Sequence, residues 1–75
     1  MPKTPRISSR EAIRALERLG FDQVLQTGSH VVMKKETEEG KIGCVVPVHK
    51  ELKVVTLGGI LKQAQITIEE FTENL

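Results

Sequence analysis

A change in the spacing of apolar residues at Gly20 constrains the fold of this chain more than any other feature. Before Gly20, apolar residues recur at the i, i+3, i+4, i+7 spacing of one helical face: Ala12, Ala15, Leu16 and Leu19. Ser8-Ser9-Arg10-Glu11 forms a capping box, which predicts that the helix starts at Ser8. Gly20 fits a C-terminal cap, and the helical spacing does not continue after it. The sequence therefore predicts one short helix followed by a different kind of element.

Three β-prone stretches follow, at residues 21–27, 30–35 and 41–47. Gly28-Ser29 joins the first two, and glycine at the first central position predicts a two-residue type II′ hairpin. In that register, the directly opposed pairs are Gln23–Lys34, Val24–Met33, Leu25–Val32, Gln26–Val31 and Thr27–His30. The polar run 36–40 makes a looser turn, and Pro47 ends the third strand. This part of the chain is predicted to be a three-stranded antiparallel meander.

Two further helices are expected after a loop at 48–55. Thr56 is predicted to cap the first of them, and its inward face combines Leu57, Ile60, Leu61 and Ala64. Gly58 and Gly59 in its first turn indicate either the approach of a phosphate or close packing on the sheet. Thr67-Ile68-Glu69-Glu70 is a second capping box, which predicts a short last helix with Phe71 and Leu75 turned inward.

The predicted fold class is α+β, with the order α-β-β-β-α and a short extra C-terminal helix. Residues 1–75 are expected to form a single domain, because a chain of 75 residues does not divide into two independent cores. Both sides of the sheet are half apolar, and two small helices cover only one side well. The residues left over form either a docking surface or scattered surface apolars.

Charge is distributed unevenly along the chain, although the net charge is only +1. Residues 1–35 hold seven Lys/Arg against three Asp/Glu, whereas residues 36–75 hold four against seven. This distribution indicates a binding surface for a polyanion on one side. Arg10, Arg14 and Arg18 lie four apart on the predicted first helix, as either its solvated back or a phosphate contact.

The two phenylalanines are the only aromatic residues of the chain, so base stacking on exposed rings is not expected. An RNA partner would be held by its phosphates and its shape. The single cysteine, Cys44, excludes an intramolecular disulfide and a Cys-based zinc site, and its alternation with Ile42 and Val46 places it in the core. We expect no metal and no cofactor. No apolar run is long enough to span a bilayer and no export signal is present, so a cytoplasmic location without membrane contact is expected.

Two histidines are the candidates for proton transfer. His30 begins a strand directly after a glycine turn, where its side chain is held firmly and is within reach of a substrate. Lys34 lies on the same strand face. A single histidine near a turn is more often structural than catalytic. His49, in the loop that leaves the sheet, is either a second proton carrier or a capping and packing residue.

The ordered motifs of the chain resemble those of one known family. The motifs are Pro-Arg-Ile-Ser at 5–8, Leu-Gly-Phe at 19–21, Gly-Ser-His at 28–30, Pro-Val-His at 47–49, Glu-Leu at 51–52, Thr-Leu at 56–57, Ile-Leu-Lys at 60–62 and Ile-Thr-Ile-Glu-Glu-Phe at 66–71. Over nearly the whole chain this set resembles the HicA, or YcfA-like, family of bacterial toxins. The resemblance implies a double-stranded-RNA-binding-domain-like fold and an mRNA interferase activity. It also implies a HicB-type antitoxin that covers the active surface.

The resemblance also implies roles for single residues. The family's catalytic histidine falls on His30, and its Pro-x-His element falls on Pro47 and His49. Where many members have a second histidine or a bulky residue, this chain has Val31. Thr56-Leu57-Gly58-Gly59 replaces the lysine cluster that true double-stranded-RNA-binding domains carry at the start of their last main helix.

The leading hypothesis is therefore a metal-independent endoribonuclease, the toxin of a toxin–antitoxin pair, with His30 as general base or acid. The residues expected to contact the RNA are Ser29, Lys34, Arg10, Arg14, Arg18 and His49. The alternative is a non-catalytic RNA- or protein-binding module of the same fold. A relic that keeps the fold without activity is a third possibility, which sequence does not separate from the first.

Overall fold

One helix, three antiparallel strands and two further helices follow one another in the structure, a computed structural model that describes residues 6–75. In chain order the elements are α1 (Ser9–Arg18), β1 (Asp22–Gln26), β2 (His30–Thr37), β3 (Gly40–Pro47), α2 (Val54–Ala64) and α3 (Ile68–Glu73). The sheet order is β1-β2-β3, so each strand pairs with its neighbour in sequence. The predicted α+β class and element order are confirmed.

Helix α1 begins and ends as predicted. The Ser8 hydroxyl accepts a hydrogen bond from the Glu11 backbone N–H, and the Glu11 carboxylate accepts one from the Ser8 N–H, each at 3.2 Å. At the other end Gly20 has a φ of 101°, a left-handed conformation that glycine adopts without steric cost. The N–H of Phe21 then donates to the Leu16 carbonyl at 2.9 Å, and Phe21 itself is buried.

The core lies on one face of the sheet. Val31 pairs with Val46 and Met33 with Cys44, and all four side chains are buried. The helical side chains buried with them are Ala12, Ala15 and Leu16 of α1 and Leu57, Ile60, Leu61 and Ala64 of α2. Since strand side chains alternate between faces, the two long helices cover one face of the sheet, as predicted. The opposite face, called the open face below, keeps Leu25 57% and Val45 39% exposed.

A bulge in β1 changes two of the five predicted hairpin pairs. The directly opposed pairs are Asp22–Lys34, Gln23–Met33, Leu25–Val32 and Gln26–Val31, with the irregularity between Gln23 and Leu25. The predicted pairs Val24–Met33 and Gln23–Lys34 are therefore wrong. One extra residue, Val24, is left without a partner and is 52% exposed, which is the usual consequence of a bulge.

The turn between β1 and β2 is also not the predicted type. Gly28 does not have the positive φ that a type II′ turn requires at this position. Instead, the Thr27 hydroxyl accepts the His30 N–H at 3.0 Å, and the Thr27 N–H donates to the His30 carbonyl at 2.8 Å. The side chain of Thr27 therefore accepts a bond that helps to close the turn.

Helix α2 starts three residues earlier than predicted. Its N-terminal capping residue is Lys53, which makes no side-chain capping bond, and Thr56 lies inside the first turn. The Leu52 N–H donates to the Ile7 carbonyl at 2.7 Å, so contact with the chain ahead of α1 fixes the backbone just before the helix. Local capping signals do not contain that information.

The Gly58-Gly59 pair does not pack closely against the sheet. Both residues are exposed, and no heavy atom outside their own surroundings lies within 4 Å of a Cβ added at either one. The close-packing interpretation is therefore wrong.

The capping box of α3 is confirmed, with Thr67 Oγ1 accepting the Glu70 N–H at 3.1 Å. Phe71 is buried as predicted, but Leu75 is 44% exposed, because α3 ends at Glu73 and the inward face ends with it. None of the helices in residues 6–75 is long and apolar enough to cross a membrane.

Candidate active site

His30 is the first residue of β2 and its side chain is exposed. Because the next residue, Val31, is buried against the helices, strand alternation places His30 on the open face. It lies opposite Pro47 of β3. The sequence prediction of a reachable histidine at a turn is therefore confirmed in its geometry.

One side of the imidazole ring has a hydrogen-bond partner. Ser29 Oγ lies 2.9 Å from His30 Nδ1, and which atom donates depends on the tautomer. When Nδ1 carries the proton, it donates to Ser29 and leaves Nε2 as a free acceptor. This contact orients the ring while its second nitrogen stays open to a substrate.

The turn that carries His30 is tied to the loop after β3. The Val48 N–H donates to the Ser29 carbonyl at 2.9 Å. The loop is in turn held by Ser9, the only buried polar residue among residues 6–75, at 4% exposure. The Ser9 hydroxyl lies 2.6 Å from the Pro47 carbonyl and 2.8 Å from the His49 carbonyl, and it accepts the His49 N–H at 2.6 Å.

These bonds connect three segments that are distant in sequence. The start of α1 fixes the backbone at 47–49, and that backbone fixes the turn at 28–30. Sequence reasoning missed Ser9 because its partners lie 38 and 40 residues away. The only local signal was a second serine beside the capping Ser8, which has no specific meaning in the sequence.

Lys34 shares the open face with His30, with Val32 between them. At about 3.3 Å of rise per strand residue, their Cα atoms are separated by roughly 13 Å. The Lys34 stem lies over Gly43, where an added Cβ would be 3.6 Å from Lys34 Cγ. Among residues 6–75, the only ion pair joins Lys41 to Glu36, so the Lys34 ammonium has no carboxylate within 4 Å.

The three predicted arginines are in different surroundings. Arg10 and Arg14 line a groove between α1 and β1. Arg18 lies outside that groove and donates to the Asn74 carbonyl at 2.8 Å. The regular spacing of the arginines on α1 therefore does not give them one common role.

His49 is exposed in the loop after β3, and it lines a different cleft with Lys50, Glu51, Lys53 and Thr56. Its backbone, rather than its imidazole, makes the contacts with Ser9. The structure thus brings Ser29, His30 and Lys34 to the open face, and places His49 in a separate cleft.

Cys44 is buried, as its alternation with Ile42 and Val46 predicted. Burial raises the pKa of its thiol to about 11, because the thiolate would lose its hydration. The thiol therefore stays protonated and is a poor nucleophile near neutral pH. Within the described part of the chain, no three His, Cys, Asp or Glu side chains are grouped in a way that would hold a metal ion.

Comparison with protein families gives one match over most of the chain. A model described as the HicA toxin of bacterial toxin–antitoxin systems matches residues 9–66, which is 58 of the 75 residues. The matched range contains Ser9 and the turn that carries His30. A comparison with the curated proteins found no match.

Proposed function

The chain belongs to the HicA toxin family of bacterial toxin–antitoxin systems, and we propose that it is an mRNA interferase that cleaves RNA with His30 as its proton-transfer group. The observation that carries the proposal is the placement of that imidazole. It is exposed on the open face, its Nδ1 is 2.9 Å from Ser29 Oγ, and its turn is bonded to a loop held by buried Ser9. A fixed, accessible imidazole is what general acid–base catalysis near neutral pH requires.

The proposed reaction is attack by the ribose 2′-oxygen on the adjacent phosphorus. His30 Nε2 takes the 2′-hydroxyl proton while the new P–O2′ bond forms and the P–O5′ bond breaks. The leaving 5′-oxygen receives a proton from the protonated imidazole or from water. The products are a 2′,3′-cyclic phosphate and a 5′-hydroxyl end, so the step balances without a redox partner.

Lys34 has a separate task in this proposal. The Cα atoms of Lys34 and His30 are roughly 13 Å apart. At this distance the two side chains do not readily contact the same phosphate oxygen. The unpaired ammonium instead holds a neighbouring phosphate along the strand. Lys34 therefore aligns the RNA with His30. Lys34 and solvent together stabilise the charge at the reacting phosphorus.

The test is RNA cleavage by the purified chain in the presence of a chelator. The expected result is cleavage that the chelator does not inhibit, with cyclic phosphate ends, and no cleavage of an RNA that has a 2′-deoxy sugar at the cut position. His30→Ala is expected to lose cleavage. His49→Ala, which removes the other imidazole of the chain, serves as the matched comparison and is expected to lose far less.

Two outcomes would contradict this function. Equal cleavage by wild type and a correctly folded His30→Ala protein would remove His30 from the mechanism. RNA binding without any cut product from either protein would favour the non-catalytic binding module, which needs no proton transfer.

We also propose that a HicB-type antitoxin covers the open face and so blocks His30. Leu25 and Val45 leave apolar surface exposed beside the proposed active-site strand, and such patches serve as protein contacts. A small neighbouring reading frame should encode the partner, which is expected to co-purify with the chain and to inhibit cleavage. Leu25→Asp should weaken the complex, whereas the same substitution at the exposed Val55, outside the open face, should leave it intact.

A further inference from the structure

The groove between α1 and β1 has one basic wall and one wall of carboxamides. Arg10 and Arg14, one helical turn apart, line it from α1, and Gln23 and Gln26 line it from β1. It is an open surface groove with a volume of about 670 Å³. The buried side chain of Val31 contributes to its lining.

The guanidinium groups on the basic wall are available for a ligand. Neither arginine has a carboxylate oxygen within 4 Å among residues 6–75, where the single ion pair is Lys41–Glu36. Glu17 also lines the groove, so its formal charge is +1 from these three groups. A planar guanidinium suits a phosphate, to which it donates two parallel hydrogen bonds.

The carboxamide wall is a pre-arranged pair. Gln23 Nε2 donates to Gln26 Oε1 at 2.8 Å. This bond leaves the carbonyl oxygen of Gln23 as an acceptor and the amide group of Gln26 as a donor. A donor and an acceptor side by side match the edge of an unpaired nucleobase, as in the recognition of single-stranded RNA.

The groove ends at the turn that carries His30. Val48, which lines that end, donates its N–H to the Ser29 carbonyl at 2.9 Å. Gln26 is the last residue of β1 before the same turn. A strand lying in the groove would therefore leave it beside the proposed cleavage position.

We propose that this groove binds a single-stranded segment of the RNA substrate, with Arg10 and Arg14 on its phosphates and Gln23 and Gln26 on a base edge. The inference rests on the proposed nuclease function and assigns the substrate contacts of the same site. Both phenylalanines are buried, so bases are held by hydrogen bonds and guanidinium contacts rather than by stacking on rings.

The test uses binding instead of cleavage, so that the two proposals fail separately. Short single-stranded RNAs are titrated into His30→Ala protein, which leaves the substrate intact. Arg10→Gln with Arg14→Gln is expected to weaken binding by at least tenfold. Loss of two phosphate contacts should also reduce the slope of log K against log salt by about 1.4, at roughly 0.7 per contact for single strands.

Arg18→Gln is the control for charge, because it removes one positive charge from the same helix outside the groove, against two in the Arg10/Arg14 variant. It is expected to leave RNA affinity within about twofold and the salt slope unchanged. If Arg18→Gln lowers the logarithm of the affinity by half as much as the Arg10/Arg14 variant, the assignment is overturned, since the loss would then depend only on the number of charges removed. The assignment also fails if the Arg10/Arg14 variant binds RNA normally but loses a partner protein, because the groove would then be a protein interface.

The role of Gln23 and Gln26 in base recognition is tested by a separate measurement. In the same background, Gln23→Ala with Gln26→Ala should reduce the difference in affinity among RNAs that vary at one base, while the salt slope stays that of the parent. An unchanged base preference would remove the glutamines from recognition. If these binding results hold while the His30-containing protein does not cleave, the groove stands and the nuclease mechanism falls.

Discussion

Strand β2 places alternate side chains in two different environments. Val31 and Met33 are 2% and 0% exposed against the helices, whereas His30 and Lys34 are exposed on the open face. The first pair holds the fold together and the second is available for chemistry. Because the side-chain period of a strand is two residues, a slip of one residue in register would exchange the two sets. The same pairing that packs the core therefore determines which side chains reach the substrate.

The two edges of the sheet differ in a related way. The Val45 N–H donates to the side chain of Gln63 at 3.1 Å, so α2 covers part of the β3 edge. At the other edge, β1 carries a bulge at Val24, and all five of its residues are exposed. A bulged, short edge strand resists pairing with another chain. The register of β2 is consequently set mainly by β3, with which it makes eight residue pairs without a shift.

The sharpest test of the comparison is His30→Ala. Removal of a general acid–base group is expected to reduce cleavage by about 10²–10⁴-fold. Since the side chain is exposed, the free energy of unfolding should change by less than about 0.5 kcal/mol. Chemical denaturation and single-turnover cleavage of the same preparation measure both. A large loss of stability would show that the open face also holds the fold together.

Met33→Ala is expected to have the opposite effect. The side chain is 0% exposed, so its truncation should cost about 2–5 kcal/mol of unfolding free energy. In a chain this small, that is a large share of the total. Val32→Ala, at the adjacent and only partly buried position, is the matched control and should cost less. Equal losses at the two positions would contradict the division between faces.

Ser9→Ala tests how the two faces are connected. Without the hydroxyl, the His49 N–H and two carbonyls lose a buried partner, at a cost of about 1–3 kcal/mol. Cleavage per folded molecule should fall as well, because the loop that holds the His30 turn is released. Ser8→Ala, which removes a capping bond next to it, should cost about 1 kcal/mol without this loss of activity. If both variants cleave equally well, Ser9 supports the fold only.

The pH dependence of the free energy of unfolding measures how far water is excluded from the helix-covered face of the sheet. The pKa of the Cys44 thiol is raised from 9.0 to about 11 by burial. Between these values the unfolded chain has lost the thiol proton and the folded chain retains it, so stability falls as pH rises. The expected contribution is about 1 kcal/mol between pH 9 and pH 10. Cys44→Ala is expected to remove this contribution. If the unfolding free energies of wild type and Cys44→Ala change equally with pH, the Cys44 thiol is hydrated in the folded protein.

Much of this architecture could be read from local signals. The two capping boxes and the glycine after α1 use bonds between residues at most five apart, so their sequences specify them directly. His30 was identifiable for a similar reason, since its turn, its strand and its serine neighbour are contiguous. The start of α2 was misplaced because Lys53 has no capping side chain and the position is fixed through Leu52 and Ile7.

The sequence by itself determined the order of the elements and the presence of an imidazole at a turn, because helix caps and side-chain alternation depend on neighbours along the chain. Only the tertiary structure decided the bulge at Val24, the role of Ser9 and the position of Arg18 outside the groove that Arg10 and Arg14 line. Each of these depends on groups tens of residues away or on the path of a neighbouring strand. Such contacts stabilise the protein only after distant segments of the chain have come together, so no local sequence pattern predicts them.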